Sequence, residues 1–165
     1  KVKVEKELMQ HPNAISFRLA TVFGMSPRMR IDLLVNDFTY RALHDRFVVL
    51  FEGSFKRNYI HVRDVTRAFI HGIENHEKMK GLIYNVGLSD ANVSKTELCE
   101  VIKRRIPDFT FIEAPIGKDP DQRNYVVSNA KIEATGFKPA HSLDFGIQEL
   151  IKGYTMIRNT VYGNV

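Results

Sequence analysis

The segment of residues 57–64 (RNYIHVRD) constrains the fold more than any other part of this chain, because it joins a β-like run directly to an amphipathic helix. The helix is predicted to span residues 65–75, with Asp64 as its N-terminal cap and its apolar side chains on one face. His61 lies between two β-branched apolar residues, where a lone histidine is more often structural than catalytic. The segment therefore predicts a strand-to-helix unit.

The rest of the chain continues this alternation of apolar runs and amphipathic stretches, which predicts a mixed α/β fold. A buried strand is expected over residues 14–22, ending at a loop that contains Gly24. Ser94 and Glu97 have the spacing of a capping box, which predicts the start of a helix. The other predicted strands span residues 46–51, 82–86 and 109–114, and the other predicted helices span residues 1–10, 31–44, 129–134 and 143–154.

Composition excludes several classes of protein. Hydrophobic residues make up 44% and charged residues 26% of the 165 residues, which is typical of a globular domain. No apolar run approaches the ~20 residues that span a bilayer, so no membrane partner is expected. The single cysteine, Cys99, excludes a disulfide framework and a cysteine metal cluster, and it is predicted to be a small core residue in a reducing cytoplasm.

The net charge of +5 does not by itself indicate nucleic-acid binding, because the positive residues are spread along the chain. The one tight cluster, residues 103–105 (KRR), ends a predicted helix, where cations interact favourably with the helix dipole. Arginines that bind a small anionic ligand account for the remaining charge equally well. No nucleic acid is therefore expected as a partner.

Two arginines lie next to β-like runs in positions suited to an anion. Arg57 begins the run of residues 57–62, and Arg123 precedes a second run at residues 125–127. A guanidinium group offers a planar fork of donors that matches a phosphate, so two such loops could hold a diphosphate from both sides. The alternative is that each arginine pairs with a neighbouring aspartate at the surface.

Five motifs follow one another in order along the chain. They are residues 16–24 (SFRLATVFG), residues 57–64, the YNVG of residues 84–87 followed by Ser94, residues 123–131, and the GFKP of residues 136–139. In this order they resemble the motifs of the extended short-chain dehydrogenases/reductases, the NAD-dependent epimerase/dehydratase family. The octapeptide in particular resembles that family's R-x-[YF]-[IV]-H-V-x-D signature.

The resemblance implies an α/β fold made of the C-terminal strands of a Rossmann-type parallel sheet plus the small α/β substrate-binding lobe. Residues 1–30 would form the tail of the NAD-binding Rossmann domain. Residues 31–165 would form mainly the substrate-binding lobe, with segments around residues 46–87 returning to the sheet. The sequence holds no glycine-rich dinucleotide loop, so we expect only the C-terminal part of such a protein.

The resemblance also implies site residues. Lys1 would be the catalytic lysine, which binds the nicotinamide ribose and lowers the pKa of a tyrosine that would lie four residues upstream; Lys3 is the weaker alternative. The residues expected to line the nicotinamide pocket are Ala20, Thr21, Val22 and Phe23. The residues expected to contact the substrate are Thr21, Val35, Asn36, Arg57 and Arg123. Tyr59 and His61 would be structural and lie where the two lobes meet.

The function implied by the resemblance is the substrate-binding part of an NAD(P)-dependent nucleotide-sugar epimerase or dehydratase, inactive without the cofactor-binding part. A nucleoside-diphosphate sugar would be its ligand, NAD or NADP its cofactor, and a homodimer its full-length state. A ketone or aldehyde reductase of the same family is the enzymatic alternative. A non-catalytic module that binds a nucleotide sugar or a partner protein is the alternative from another class.

Overall fold

The computed structural model describes residues 1–117, 121 and 123–157. Helices and strands alternate through most of this part of the chain, as the sequence predicts. The helices are α1 (Val2–Leu8), α2 (Leu34–His44), α3 (Val62–Glu74), α4 (His76–Met79), α5 (Lys95–Arg105), α6 (Ala130–Glu133) and α7 (Leu143–Met156). The strands are β1 (Ile15–Leu19), β2 (Thr21–Phe23), β3 (Phe47–Leu50), β4 (Lys56–His61), β5 (Leu82–Val86), β6 (Asn92–Ser94) and β7 (Thr110–Glu113).

The strands pair mostly in parallel, as expected for an α/β protein. β1 pairs with β5, β2 pairs with β4, and β3 pairs with β7, all in parallel, while β6 joins the other edge of β4 in the antiparallel direction. The register sets Ile15 opposite Leu82 in the first pair and Thr21 opposite Tyr59 in the second. β2 and β4 therefore end side by side, which brings residues distant in sequence to one edge.

The hydrophobic core lies between these strands and the long helices. α7 packs against α2 and β4, and α2 also contacts α5. Tyr59 and Ile60 on β4 are fully buried, as is Ile147 on α7. Cys99 is fully buried in α5, which confirms its predicted place in the core. Among the described residues, no helix has the length and apolar character needed to cross a membrane.

The predicted strand over residues 14–22 is wrong in one respect, because it is two strands that pair with different partners. The break falls at Ala20, whose N–H donates to the Val86 carbonyl while the chain shifts from β5 towards β4. β1 is also less buried than predicted, since Arg18 and Leu19 are exposed. The step at Ala20 turns the residues that follow towards the edge where β4 ends.

The predicted cap at Asp64 is also wrong. Helix α3 begins at Val62, and the residue that caps it is His61, whose side chain accepts a hydrogen bond from the Arg63 N–H. Asp64 lies in the first turn and is fully buried. It accepts hydrogen bonds from the N–H groups of Ala140 and His141 instead. These two donors lie more than seventy residues away in sequence, so local spacing could not reveal them.

Two helix caps predicted from local sequence are confirmed. The capping box of Ser94 and Glu97 is present with both reciprocal hydrogen bonds, and Ser142 caps α7 through the Phe145 N–H.

Other elements differ from the prediction. The β-like run at residues 125–127 is not a strand, and β6 and α4 were not predicted. Asp119, Pro120 and Gln122 of the arginine loop, and residues 158–165 of the predicted substrate-binding lobe, lie outside the described residues.

Candidate functional site

A cleft of about 510 Å³ opens where β1 and β2 end and the loop before α2 begins. Carboxyl ends of parallel strands are where α/β proteins bind ligands. Of the residues singled out from the sequence, seven line this cleft: Lys1, Ala20, Thr21, Val22, Phe23, Asn36 and Arg123. The cleft therefore gathers most of the expected site residues from four separate segments of the chain.

Lys1 reaches the cleft because α1 is tied alongside β1. Glu5 receives two hydrogen bonds from Arg18, at 2.7 Å from Nε and 2.6 Å from Nη2. The Ser16 hydroxyl lies 3.4 Å from the same carboxylate. These contacts align the helix so that its N-terminal residue lies beside the end of β1, where Leu19 and Ala20 also line the cleft.

The part of the cleft wall that follows β2 is held in place by Gly24 and Asn36. Gly24 has φ +114°, a conformation that favours glycine. Its N–H donates to Asn36 Oδ1 at 3.2 Å, while Asn36 Nδ2 donates to the Arg30 carbonyl at 3.0 Å. Both ends of the Asn36 amide are thus used to hold the loop of residues 24–30. Val35 is fully buried in the core and does not line the cleft.

Arg57 and Arg123 meet at Asp121. Arg57 lies inside β4, only 4% exposed, and its Nη2 lies 3.0 Å from Asp121 Oδ1. Arg123 binds the same carboxylate through Nε at 2.6 Å and also through Nη2. The Arg123 hydrogen bonds, helped by the Arg57 charge, lower the pKa of Asp121. The two arginines are therefore adjacent, but in this structure they share an aspartate, the alternative that the sequence left open.

Two features mark this arginine pair as suited to an anion. Arg57 Nη1 is buried and has no hydrogen-bond partner among the described residues. Arg123 is the more accessible of the two, and its side chain is 65% exposed. Arg57 does not itself line the cleft. Its positive charge lies behind Asp121 and would attract an anion in the cleft from there. An incoming anion would compete with the Asp121 carboxylate for the same donors.

Sequence reasoning missed two further cations of the cleft, Arg28 and Arg30. Both lie in the loop after Gly24, and Arg30 forms an ion pair with Asp32 at 2.8 Å from Nε. Together with Lys1 and Arg123 they give the cleft four cationic side chains, and none of its described lining residues is acidic. The sequence did offer a signal for them, because both arginines lie in the loop that follows the end of a predicted strand.

His61 lies directly behind the cleft wall and is fully buried. Its Nδ1 accepts the Arg63 N–H at 3.2 Å, so the ring proton of the neutral form is on Nε2, which lies 2.9 Å from Glu149 Oε2. Burial lowers the pKa of His61, although Glu149 acts in the opposite direction. Burial also raises the pKa of Tyr59, and neither Tyr59 nor His61 is among the described residues that line the cleft.

The lowered pKa of His61 predicts a pH-dependent stability. As the pH falls through about 6.5, the unfolded chain takes up a proton on His61 that the folded chain does not, so the free energy of unfolding falls. Urea unfolding at pH 7.5 and 5.5 should show that His61→Gln flattens this dependence by about 1 kcal/mol. His11→Gln, at an exposed position, should leave it unchanged. Equal pH dependence in His61→Gln and the unsubstituted protein would contradict the prediction.

Comparison with known proteins gives the following matches. The sequence model of the NAD dependent epimerase/dehydratase family matches residues 6–87. An uncharacterized protein of Schizosaccharomyces pombe is 22% identical over 144 residues, which is 76% of this chain and 40% of that protein.

Solved structures match the fold over nearly the whole chain. RMD from Pseudomonas aeruginosa, complexed with NADPH, aligns with a TM-score of 0.78 at 16% identity, over 95% of this chain and 55% of that one. The dTDP-glucose 4,6-dehydratase of Bacillus anthracis, in complex with NAD, aligns at 0.73 and 20% identity, over 97% and 51%. UDP-glucose 4-epimerase of Thermotoga maritima, with UDP-glucose, aligns at 0.69 and 23% identity, over 88% and 47%. The chain thus spans about half the length of these relatives.

Proposed function

The chain belongs to the NAD dependent epimerase/dehydratase family, and from that premise we propose that it binds the nucleoside-diphosphate sugar of an NAD(P)-dependent epimerase or dehydratase. The observation that carries the proposal is the cleft with four cationic and no acidic side chains among its described lining residues. A diphosphate is the part of such a ligand that needs this charge. The rest of the active site would come from a cofactor-binding part of the same protein.

The arginine pair is the proposed diphosphate site. The Arg123 side chain is exposed and can turn from Asp121 to a ligand without unfolding any element. Arg57 is held in β4, and its Nη1 has no partner in the part of the chain that the structure describes, so it supplies a fixed charge and needs little reorganisation. On this proposal the sugar lies towards Thr21 and the loop that Asn36 holds, and Val35 supports that loop from the core.

The residues at the end of β1 and β2 fit one end of a nicotinamide cofactor. Ala20 offers a small side chain at the strand break and Val22 adds apolar surface, while Phe23 borders the cleft with its ring buried in the core. A bound nicotinamide would supply hydride transfer to and from a sugar carbon. Lys1, held by α1 at the cleft, is proposed as the catalytic lysine, and its charge would favour the deprotonated form of a nearby hydroxyl. We propose that the complete protein works as a cytoplasmic homodimer.

Binding measurements test this function. Isothermal titration with UDP-glucose and dTDP-glucose should show binding of at least one to the protein that contains this chain. Arg123→Ala should weaken that binding about tenfold, because it removes a charge-assisted hydrogen bond to phosphate. Arg104→Ala removes an equivalent charge from the exposed end of α5 and should leave binding unchanged.

The same titrations, combined with an assay of substrate conversion, separate the alternatives. A reductase of the same family would process a simple ketone or aldehyde and would be insensitive to Arg123→Ala. A non-catalytic module would bind the nucleotide sugar without converting it when NAD and the whole protein are present. Lack of binding to every nucleotide sugar and free nucleoside diphosphate would refute the proposal.

A further inference from the structure

Glu149 of α7 lies behind the cleft and contacts the loop that forms its wall. Its Oε2 accepts the Met25 N–H at 3.2 Å and lies 2.9 Å from His61 Nε2, while its Oε1 binds Arg63 Nη2. We propose that Glu149 is a positioning residue for the ligand, acting by fixing the loop of residues 24–30 against β4. No resemblance in the sequence pointed to this residue.

The loop is closely fitted to the groups that Glu149 holds. A Cβ atom at Gly24 would lie 2.5 Å from His61 Nε2, so the backbone of the cleft wall rests directly on the imidazole ring. Gly24 itself lines the cleft. A shift of the His61 ring would therefore move the cleft wall at Gly24. The Glu149 carboxylate holds the ring in place by accepting the proton of His61 Nε2.

Charge and orientation agree with this role. Burial on its own would raise the pKa of the Glu149 carboxyl, but hydrogen bonds from His61 and the Met25 N–H leave it lowered. Glu149 is therefore ionised at neutral pH, and Arg63 balances its charge. One face of the His61 ring stacks on His141 at 4.8 Å between ring centroids, and His141 in turn lies beside Asp64. The imidazole is fully buried, and Phe23 meets it edge to face at 5.4 Å between ring centroids, so it is held in one orientation.

Two helices anchor the loop from different directions. Asn36 of α2 binds the Gly24 N–H and the Arg30 carbonyl, whereas Glu149 of α7 binds the next amide, that of Met25. α2 and α7 also pack against each other, and the Tyr154 hydroxyl donates to the Asn36 carbonyl at 3.1 Å. Removing the Glu149 carboxylate would remove the α7 hydrogen bond to the loop and leave the α2 hydrogen bonds in place.

Hydrogen–deuterium exchange with Glu149→Gln tests the proposal. Glutamine keeps the length of the side chain but has one amide oxygen to accept from Met25, His61 and Arg63. Peptides covering residues 23–30 should exchange at least tenfold faster, while peptides from β3 and α5 keep their rates. Glu100→Gln, which removes the same charge from an exposed position of α5, should change neither region.

A ligand measurement completes the test. This arm rests on the proposed function: UDP-glucose, or the nucleotide sugar found to bind, should bind Glu149→Gln about five- to tenfold more weakly. Failure of the unsubstituted protein to bind any nucleotide sugar would refute that function and leave the exchange result as the test of Glu149. Unchanged exchange at residues 23–30, or equal acceleration across the whole chain, would overturn the positioning role. If Glu149→Gln does not fold, Glu149→Asp, which keeps the charge on a shorter side chain, replaces it with the same expected pattern.

Discussion

Replacing Asp64 with alanine is expected to lower the free energy of unfolding by about 4 kcal/mol. The carboxylate is fully buried and accepts the N–H groups of Ala140 and His141 at 3.0 and 2.8 Å. It also binds Arg67 Nη1 at 3.1 Å, and His141 Nδ1 lies 3.1 Å from its Oδ1. Alanine would leave two buried backbone donors without their acceptor and would remove the carboxylate that lies beside Arg67 and the partly buried His141, which costs much more than a lost surface ion pair.

Urea unfolding at pH 7 measures this effect. Asp108→Ala, at an exposed position after α5, is the matched control and should stay within about 0.5 kcal/mol of the unsubstituted protein. Although burial alone would raise the pKa of Asp64, the Ala140 and His141 hydrogen bonds leave it lowered. Its contribution is therefore present above the ordinary carboxyl pKa and is lost as the pH falls through the lower folded value. A change under about 1 kcal/mol would contradict this account.

Asp64 also shows which parts of the fold a sequence can predict. The capping box of Ser94 and Glu97 was predicted because both partners lie within one turn of the helix. The role of Asp64 was predicted wrongly because the backbone N–H groups that it binds belong to residues 140 and 141. A cap and a long-range anchor look alike in sequence, since both are an aspartate at the start of an amphipathic helix. Only the tertiary structure separates the two.

The candidate site divides in the same way. Residues 20–23 were expected at a ligand because of the resemblance that residues 16–24 carry, and they do line the cleft. The break at Ala20 was not expected, because the run of apolar residues continues through it and only strand pairing reveals the change of partner. Glu149 could not be predicted as a neighbour of Met25, which is 124 residues away.

Replacing Gly146 with alanine is expected to destabilise the protein by about 2 kcal/mol, although alanine is the better helix former. In an unobstructed helix this change would stabilise by about 1 kcal/mol. Here a Cβ atom would lie 2.2 Å from Phe23 Cε2 and 2.9 Å from His61 Cδ2, and both rings are buried. Two rigid rings can move away only by shifting the strand ends that carry them, and overpacking of this kind costs ~1–3 kcal/mol or more.

Gly153→Ala in the same helix is the matched control for Gly146→Ala. Its Cβ atom would also meet a neighbour, at 2.3 Å, but that neighbour is the Sδ of Met25, near the end of a flexible side chain. Methionine can rotate away, so Gly153→Ala should match or exceed the stability of the unsubstituted protein. Thermal and urea unfolding of both variants measure the difference.

Because Phe23 lines the cleft, Gly146→Ala should also weaken nucleotide-sugar binding. Equal stability of the two variants would contradict the prediction. It would mean that Phe23 and His61 can move away from α7 at little cost, and that the hydrogen bonds of Asn36 and Glu149, rather than the packing of α7, fix the cleft wall.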